Sequence, residues 1–81
     1  MRSDSLIQPY LNLSGDSGVR GYAIGPQAIA VEFADNSVYL YTAGSAGAEA
    51  IARMHDLASG GRGLNTYINR HVRDAYAERL R

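Results

Sequence analysis

Tyr39 and Tyr41 lie in the run Val38-Tyr-Leu-Tyr-Thr42. On a strand, residues two apart share a face. Two rings so placed form a stacking platform for unpaired nucleobases. Arg20, Arg62, Arg70 and Arg73 are the cations that would hold phosphates beside such a platform. The plainer reading is that the rings form a small second core or a subunit interface, since tyrosine suits half-buried sheet positions. Gly60-Gly-Arg-Gly63 ahead of a helix resembles an anion cradle, although a left-handed helix C-cap accounts for the same glycines. It lacks the spacing of a dinucleotide fingerprint and does not follow a strand.

Other chemistry is thinly represented. Cysteine is absent, which removes disulfides, thiolate zinc sites and a cysteine nucleophile. Lysine is absent as well, which removes Schiff-base chemistry and a P-loop lysine. His55 and His71 have no second histidine at metal-ligand spacing. Two histidines and an arginine are the raw material for acid–base cleavage of RNA, but nothing in their spacing requires it. The chain is read as a non-enzyme without a cofactor or metal. Eight arginines balance eight acidic residues, so formal charge is zero, with a locally basic stretch from Gly61 to Arg81. A dedicated duplex binder would show a stronger positive balance.

These residues need elements to position them. At 81 residues there is room for a single domain with a small core. Residues 1–18 read as an arm interrupted by Pro9 and the cluster Ser14-Gly-Asp-Ser-Gly18, leaving 19–81 as the body. Val19–Ile24, Ala28–Phe33 and Val38–Thr42 carry strand signals, the middle one alternating cleanly. A two-residue hairpin at Asp35-Asn36 pairs Phe33 with Val38, Val31 with Leu40 and Ile29 with Thr42. That register predicts Tyr39 and Tyr41 on the face away from the aliphatic stripe. Pro26 forbids a primed turn centred on it, so the register of the first strand stays open.

Ser45 is expected to cap a helix running to about Ser59, with Ala50, Ile51, Met54, Leu57 and Ala58 as its apolar stripe. A second helix is expected from about Asn65 to Leu80, with His71 inside its apolar side. Strands followed by helices, without βαβ alternation, predict an α+β domain: a three-stranded antiparallel β-meander followed by two α-helices packed on one face. No apolar run is long enough for a membrane span. The polar N-terminus lacks a signal core, which points to a cytoplasmic protein.

The segment from Gly18 to about Tyr76 resembles the KTSC domain of bacterial proteins. The likeness rests on Gly21-Tyr22, Ile29-Ala-Val-Glu-Phe33, Val38-Tyr-Leu-Tyr-Thr42 and Gly61-Arg-Gly-Leu-Asn65 leading to Tyr67-Ile68. The whole chain is similar to small stand-alone bacterial proteins with an Asn12-Leu-Ser-Gly15 start and a Leu64 to Asn69 helix motif. The resemblance implies the same strand and helix order, no known catalytic residue, and RNA binding as the role suggested for the family. Two functions of different kinds are therefore expected. One is a non-catalytic module binding single-stranded RNA through Tyr39, Tyr41 and the arginines Arg20, Arg62, Arg70 and Arg73. The alternative is a small homo-oligomeric or partner-binding protein with the tyrosine face buried in an interface.

Overall fold

The computed structural model describes residues 7–11 and 18–81. Five strands form one antiparallel sheet in the order β1-β2-β3-β4-β5: β1 Gln8–Pro9, β2 Val19–Gly25, β3 Ala28–Phe33, β4 Val38–Thr42 and β5 Glu78–Arg79. The α+β class and the antiparallel sheet are as expected. The three long strands lie where their alternating β-branched and aromatic residues place them. β2 and β3 are joined by the two-residue loop Pro26-Gln27, with Gly25 opposite Ala28 and Gln27 at φ 56°. Proline first and a positive-φ residue second is the pattern of a type II turn, which resolves the connection that Pro26 left open.

The β3–β4 hairpin differs from expectation by one residue. Glu32 faces Val38, Val31 faces Tyr39, Ala30 faces Leu40 and Ile29 faces Tyr41. The loop is the cause. Phe33 N–H donates to the Ser37 carbonyl (2.8 Å) and Asn36 N–H to the Phe33 carbonyl (2.9 Å), while Asn36 sits at φ 73°. This is a three-residue loop, a type I turn closed by a left-handed residue, rather than a two-residue turn. The Asp35 carboxylate fixes it by accepting from the Ser37 amide (3.0 Å) and hydroxyl (2.6 Å). Because strand side chains alternate, the shift by one moves every β4 residue to the other face. Tyr39 and Tyr41 consequently share the face of Ile29 and Val31, and Leu40 faces outward.

That inner face carries the core. Val19, Tyr22, Ile29, Val31 and Tyr41 pack with Ile51, Met54, Ala58, Leu64, Ile68 and Val72 of the helical layer. The first helical region begins with a single turn, α1 (Ala43–Ala46), held by a reciprocal capping box between Thr42 and Ser45. Gly47, at φ 98°, breaks the path before α2 (Ala48–Gly60). Ser45 is thus the N3 partner of the Thr42 cap inside α1 and does not cap the long helix, whose N-cap is Gly47. The apolar stripe of α2 is as expected, with Ile51, Met54 and Ala58 buried and Ala50 and Leu57 packed beside them. His55 Nε2 donates to the Ala28 carbonyl (2.8 Å), tying α2 to the start of β3. Gly61 ends α2 in the left-handed region, its N–H reaching the carbonyls of Leu57 and Ala58.

The second helix is shorter than expected. α3 (Leu64–Tyr67) runs into a π-helical segment, Ile68–Val72, and the chain then leaves helix for β5. Four residues advance about 400° in an α-helix, so a strict four-residue apolar spacing drifts off its face. The wider π turn removes the drift and keeps Leu64, Ile68 and Val72 all buried. His71 is left outside, exposed and with its ring 4.6 Å from that of Tyr67, so it is not the partly buried residue that an unbroken helix predicted.

Both flanks of the meander are covered by short ends of the chain. Tyr10, next to β1, is buried, and its phenol oxygen accepts from the Leu64 amide (3.2 Å). The cluster Ser14-Gly-Asp-Ser17 and the motif starting at Asn12 lie outside the described residues. On the other side, Ala77 N–H donates to Leu40 O, Leu80 N–H to Val38 O and Val38 N–H to Arg81 O, closing the edge of β4. Glu32 and Arg81 form an ion pair at 2.6 Å on the outer face. The open edge expected of a three-stranded sheet is thereby reduced to two exposed two-residue strands, Gln8–Pro9 with a proline and Glu78–Arg79 with two charges.

Candidate functional site

The tyrosines line a groove of about 590 Å³ between the Ala34–Ser37 loop and the end of the helical layer. β3 and β4 contribute Phe33, Tyr39 and Tyr41; the π-helical segment and the turn after it contribute Asn69, Arg73, Asp74 and Tyr76. The rings meet at steep angles. Phe33 and Tyr39 lie 5.7 Å apart at 76°, Tyr39 and Tyr76 4.7 Å apart at 64°, and Tyr41 and Tyr76 6.4 Å apart at 90°. Such edge-to-face contacts are the favoured arrangement of aromatic pairs. None of these three contacts is a parallel stack.

The two tyrosines therefore play different parts. Tyr41 is 2% exposed and belongs to the core; burial pushes its phenol pKa up to about 12. Tyr39 is half-buried, and the Arg79 guanidinium carbon stands 5.5 Å from its ring centroid. Tyr76 is 40% exposed and stands at the mouth. At the rim, the Ser37 hydroxyl and amide hold the Asp35 carboxyl below its ordinary value of 3.8, so it is ionised near neutrality. Both Ser37 bonds go to Oδ1, and the Asp35 backbone amide and the Arg79 charge act on the carboxylate in the same direction. Asn69, Arg73 and Asp74 make no side-chain hydrogen bond or ion pair with the described residues.

Of the arginines expected beside the tyrosines, the fold brings one. Arg73 lines the groove. Arg20 occupies the bulge in β2 and braces the hairpin loop, donating to Asn36 Oδ1 (2.7 Å) and the Ala34 carbonyl (3.3 Å). Arg62 is exposed on the turn between α2 and α3, away from the groove, and Arg70 is exposed on the π-helical segment beside a shallower depression. Sequence reasoning placed Asn69 with Arg62, Arg70 and Arg73 as a cluster for phosphate contact and missed Asp35, Asp74 and Tyr76 as site residues. Tyr76 carried a signal, an aromatic at the margin of the expected second helix, but only the end of that helix before β5 turns it toward Tyr39.

Among the described residues no group of three or more His, Cys, Asp or Glu could hold a metal ion. Likewise, no helix of the described residues is long and apolar enough to cross a membrane. No protein-family model, no curated protein and no solved structure matches the chain.

Proposed function

We propose that the protein is a non-catalytic binding module whose ligand is a segment of another protein, held in the groove of Phe33, Tyr39, Tyr41 and Tyr76. The observation that carries this reading is the set Asn69, Arg73 and Asp74, whose side chains have no hydrogen-bond or ion-pair partner among the described residues, beside aromatic rings in an open groove. About 590 Å³ lies within the ~300–1,000 Å³ of ordinary ligand sites. A few convergent polar groups on an apolar wall is the usual composition of such sites.

Single-stranded RNA fits this groove less well. Asp35 and Asp74 line it beside Arg73, with the Arg79 guanidinium over Tyr39, so the groove carries no positive excess to hold a phosphate chain. Tyr41 offers no free ring face, and Arg20 is already engaged with the hairpin loop. The KTSC resemblance stands as a proposal on the motifs quoted above.

The test is selection of peptides from a random display library against the wild-type protein, followed by counter-screening on Tyr39→Ala/Tyr76→Ala. Enriched peptides should lose affinity for the double variant while its circular dichroism stays native. Peptides that bind both proteins equally would place the interaction elsewhere. Salt-sensitive binding of a labelled single-stranded RNA that disappears in the double variant would replace the protein ligand with RNA. Light scattering of the free protein distinguishes a different partner from a second copy of the chain.

A further inference from the structure

The segment that covers the edge of β4 has little else to hold it. Ala77 N–H donates to Leu40 O (2.7 Å), Leu80 N–H to Val38 O (2.7 Å) and Val38 N–H to Arg81 O (3.2 Å). Tyr76 rests against Tyr39 and Tyr41. Val38 and Tyr41 on the covered side are buried. The covering residues are not: from 73 to 81 none is buried, and Ala75 alone is half-buried. The opposite edge of the sheet differs, because Tyr10 next to β1 is itself buried and bonded to the Leu64 amide. An element that buries none of its own side chains gives up little core on leaving, and such segments open locally while the rest of a fold stays closed. What it uncovers is a row of unpaired backbone groups beside aromatic rings, a surface that another strand can pair with.

We propose that residues 73–81 are an exchangeable strap, which leaves β4 as a unit and takes the same place on a second copy of the chain. The occupant is set by complementarity already present within one chain. Besides the ladder bonds, the Arg79 guanidinium carbon lies 5.5 Å from the Tyr39 centroid, and Arg81 bonds Glu32 (2.6 Å) and the Asn36 carbonyl (3.1 Å). Exchange reproduces each of these contacts between copies, and two copies that each give and receive a strap close a symmetric dimer. The place where the chain must straighten is the exposed turn closed by Ala75 N–H on the Val72 carbonyl (2.9 Å). A formal charge of zero sets no overall repulsion between the copies. The inference does not depend on what the groove binds. It makes the groove a shared one, with Phe33, Tyr39 and Tyr41 from one copy facing Tyr76 from the other.

The test reverses the two ends of the Glu32–Arg81 pair on separate full chains. Glu32→Arg and Arg81→Glu each bring like charges together when the strap lies on its own sheet. Mixed in equal amounts, the two variants regain opposite charges at both sites by exchanging straps. Sedimentation velocity should show at least about fivefold more dimer in the mixture than in either variant alone at the same total concentration. The double variant Glu32→Arg/Arg81→Glu restores the pair within one chain and should behave as the wild type. In the wild type, the amides of Val38, Ala77 and Leu80 should exchange with solvent at least about tenfold faster than those in the middle of β3, and dimer should grow as concentration rises. A mixture no more dimeric than its components overturns the proposal. Equal dimer in every sample, the double variant included, overturns it by placing the interface away from the strap. Strap amides as protected as those of β3, or a wild type that stays monomeric to millimolar concentration, overturn it as well.

Discussion

The one-residue register of the β3–β4 hairpin decides which side chains are core, and it can be tested by two alanines. Tyr41 is 2% exposed and packs among Ile29, Met54 and the helical layer, whereas Leu40 is half-buried on the outer face. Truncating a fully buried aromatic costs about 3–5 kcal/mol. Truncating a half-buried outer-face leucine costs about 1 kcal/mol, given partial burial and no closed cavity. A chain of 81 residues has roughly 4–12 kcal/mol to lose. Tyr41→Ala should therefore remove a quarter or more of the stability. With a urea slope of about 1 kcal/mol/M, its midpoint falls by about 3–5 M, against about 1 M for Leu40→Ala.

Urea unfolding followed by far-ultraviolet circular dichroism reads both midpoints. If Tyr41→Ala is too unstable to fold while Leu40→Ala folds normally, the order is the same. In the register with Phe33 opposite Val38, the two residues exchange faces, so Leu40→Ala becomes the costly change. A larger loss for Leu40→Ala than for Tyr41→Ala would refute the three-residue loop and, with it, the groove.

Three further outcomes follow from single contacts. Gly61 stands at φ 74°, and a β-carbon there would lie 2.6 Å from Leu11 Cβ, so Gly61→Ala should cost about 2 kcal/mol or more; Gly60→Ala, with nothing within 4 Å, should be neutral or mildly stabilising in thermal melts. Tyr10→Phe removes the oxygen that accepts from the Leu64 amide, and should cost about 1–3 kcal/mol, with faster hydrogen exchange at Leu64 as its signature. Tyr41 keeps its proton in the folded state up to about pH 12, whereas an exposed phenol ionises near 10.0. A raised folded-state pKa means that the native state binds the proton more tightly, so stability is whole below pH 10 and falls as pH rises from there toward 12. Tyr41→Phe should flatten that fall in alkaline unfolding curves.

The three long strands and the apolar stripe of α2 were legible because periodicity two and periodicity 3.6 are strong signals over five residues or more. The hairpin loop was not. Asp35-Asn36 accepts either two or three loop residues, and Asn36 tolerates positive φ in both. Pairing aliphatic with aliphatic, Val31 with Leu40, favours the two-residue loop. The fold instead pairs Val31 with Tyr39 and Ile29 with Tyr41. Aromatic side chains bury about 150–250 Å² each, so inward tyrosines outweigh inward Leu40 in a core this small. The second helix was overrun for a related reason. Ala75, Tyr76, Ala77 and Leu80 continue a plausible apolar spacing, and nothing in Glu78-Arg79 favours a strand locally. β5 exists because β4 offers it a row of backbone partners, which is a tertiary cause that no local pattern records.

The same tertiary cause changes the meaning of the basic C-terminal stretch. As a sequence it reads first as a solvated helix face, with Arg62, Asn69, Arg70 and Arg73 as the cluster for phosphate contact. In the fold, Arg79 lies over Tyr39 and donates to the Arg81 carbonyl, while Arg81 donates to the Asn36 carbonyl (3.1 Å) and to Glu32 (2.6 Å). With Arg20 on the Asn36 side chain, two arginines grip one hairpin loop from opposite ends of the chain. Arginine suits this work because its planar fork can bond two acceptors at once and lie over a ring. Of the arginines expected to meet RNA, Arg20 is thus consumed in fixing the loop whose Asp35 and Ser37 form the rim of the groove. What that leaves at the mouth is Asp35 and Asp74 against Arg73 and the Arg79 guanidinium over Tyr39, a balanced set without the positive excess that a phosphate chain requires.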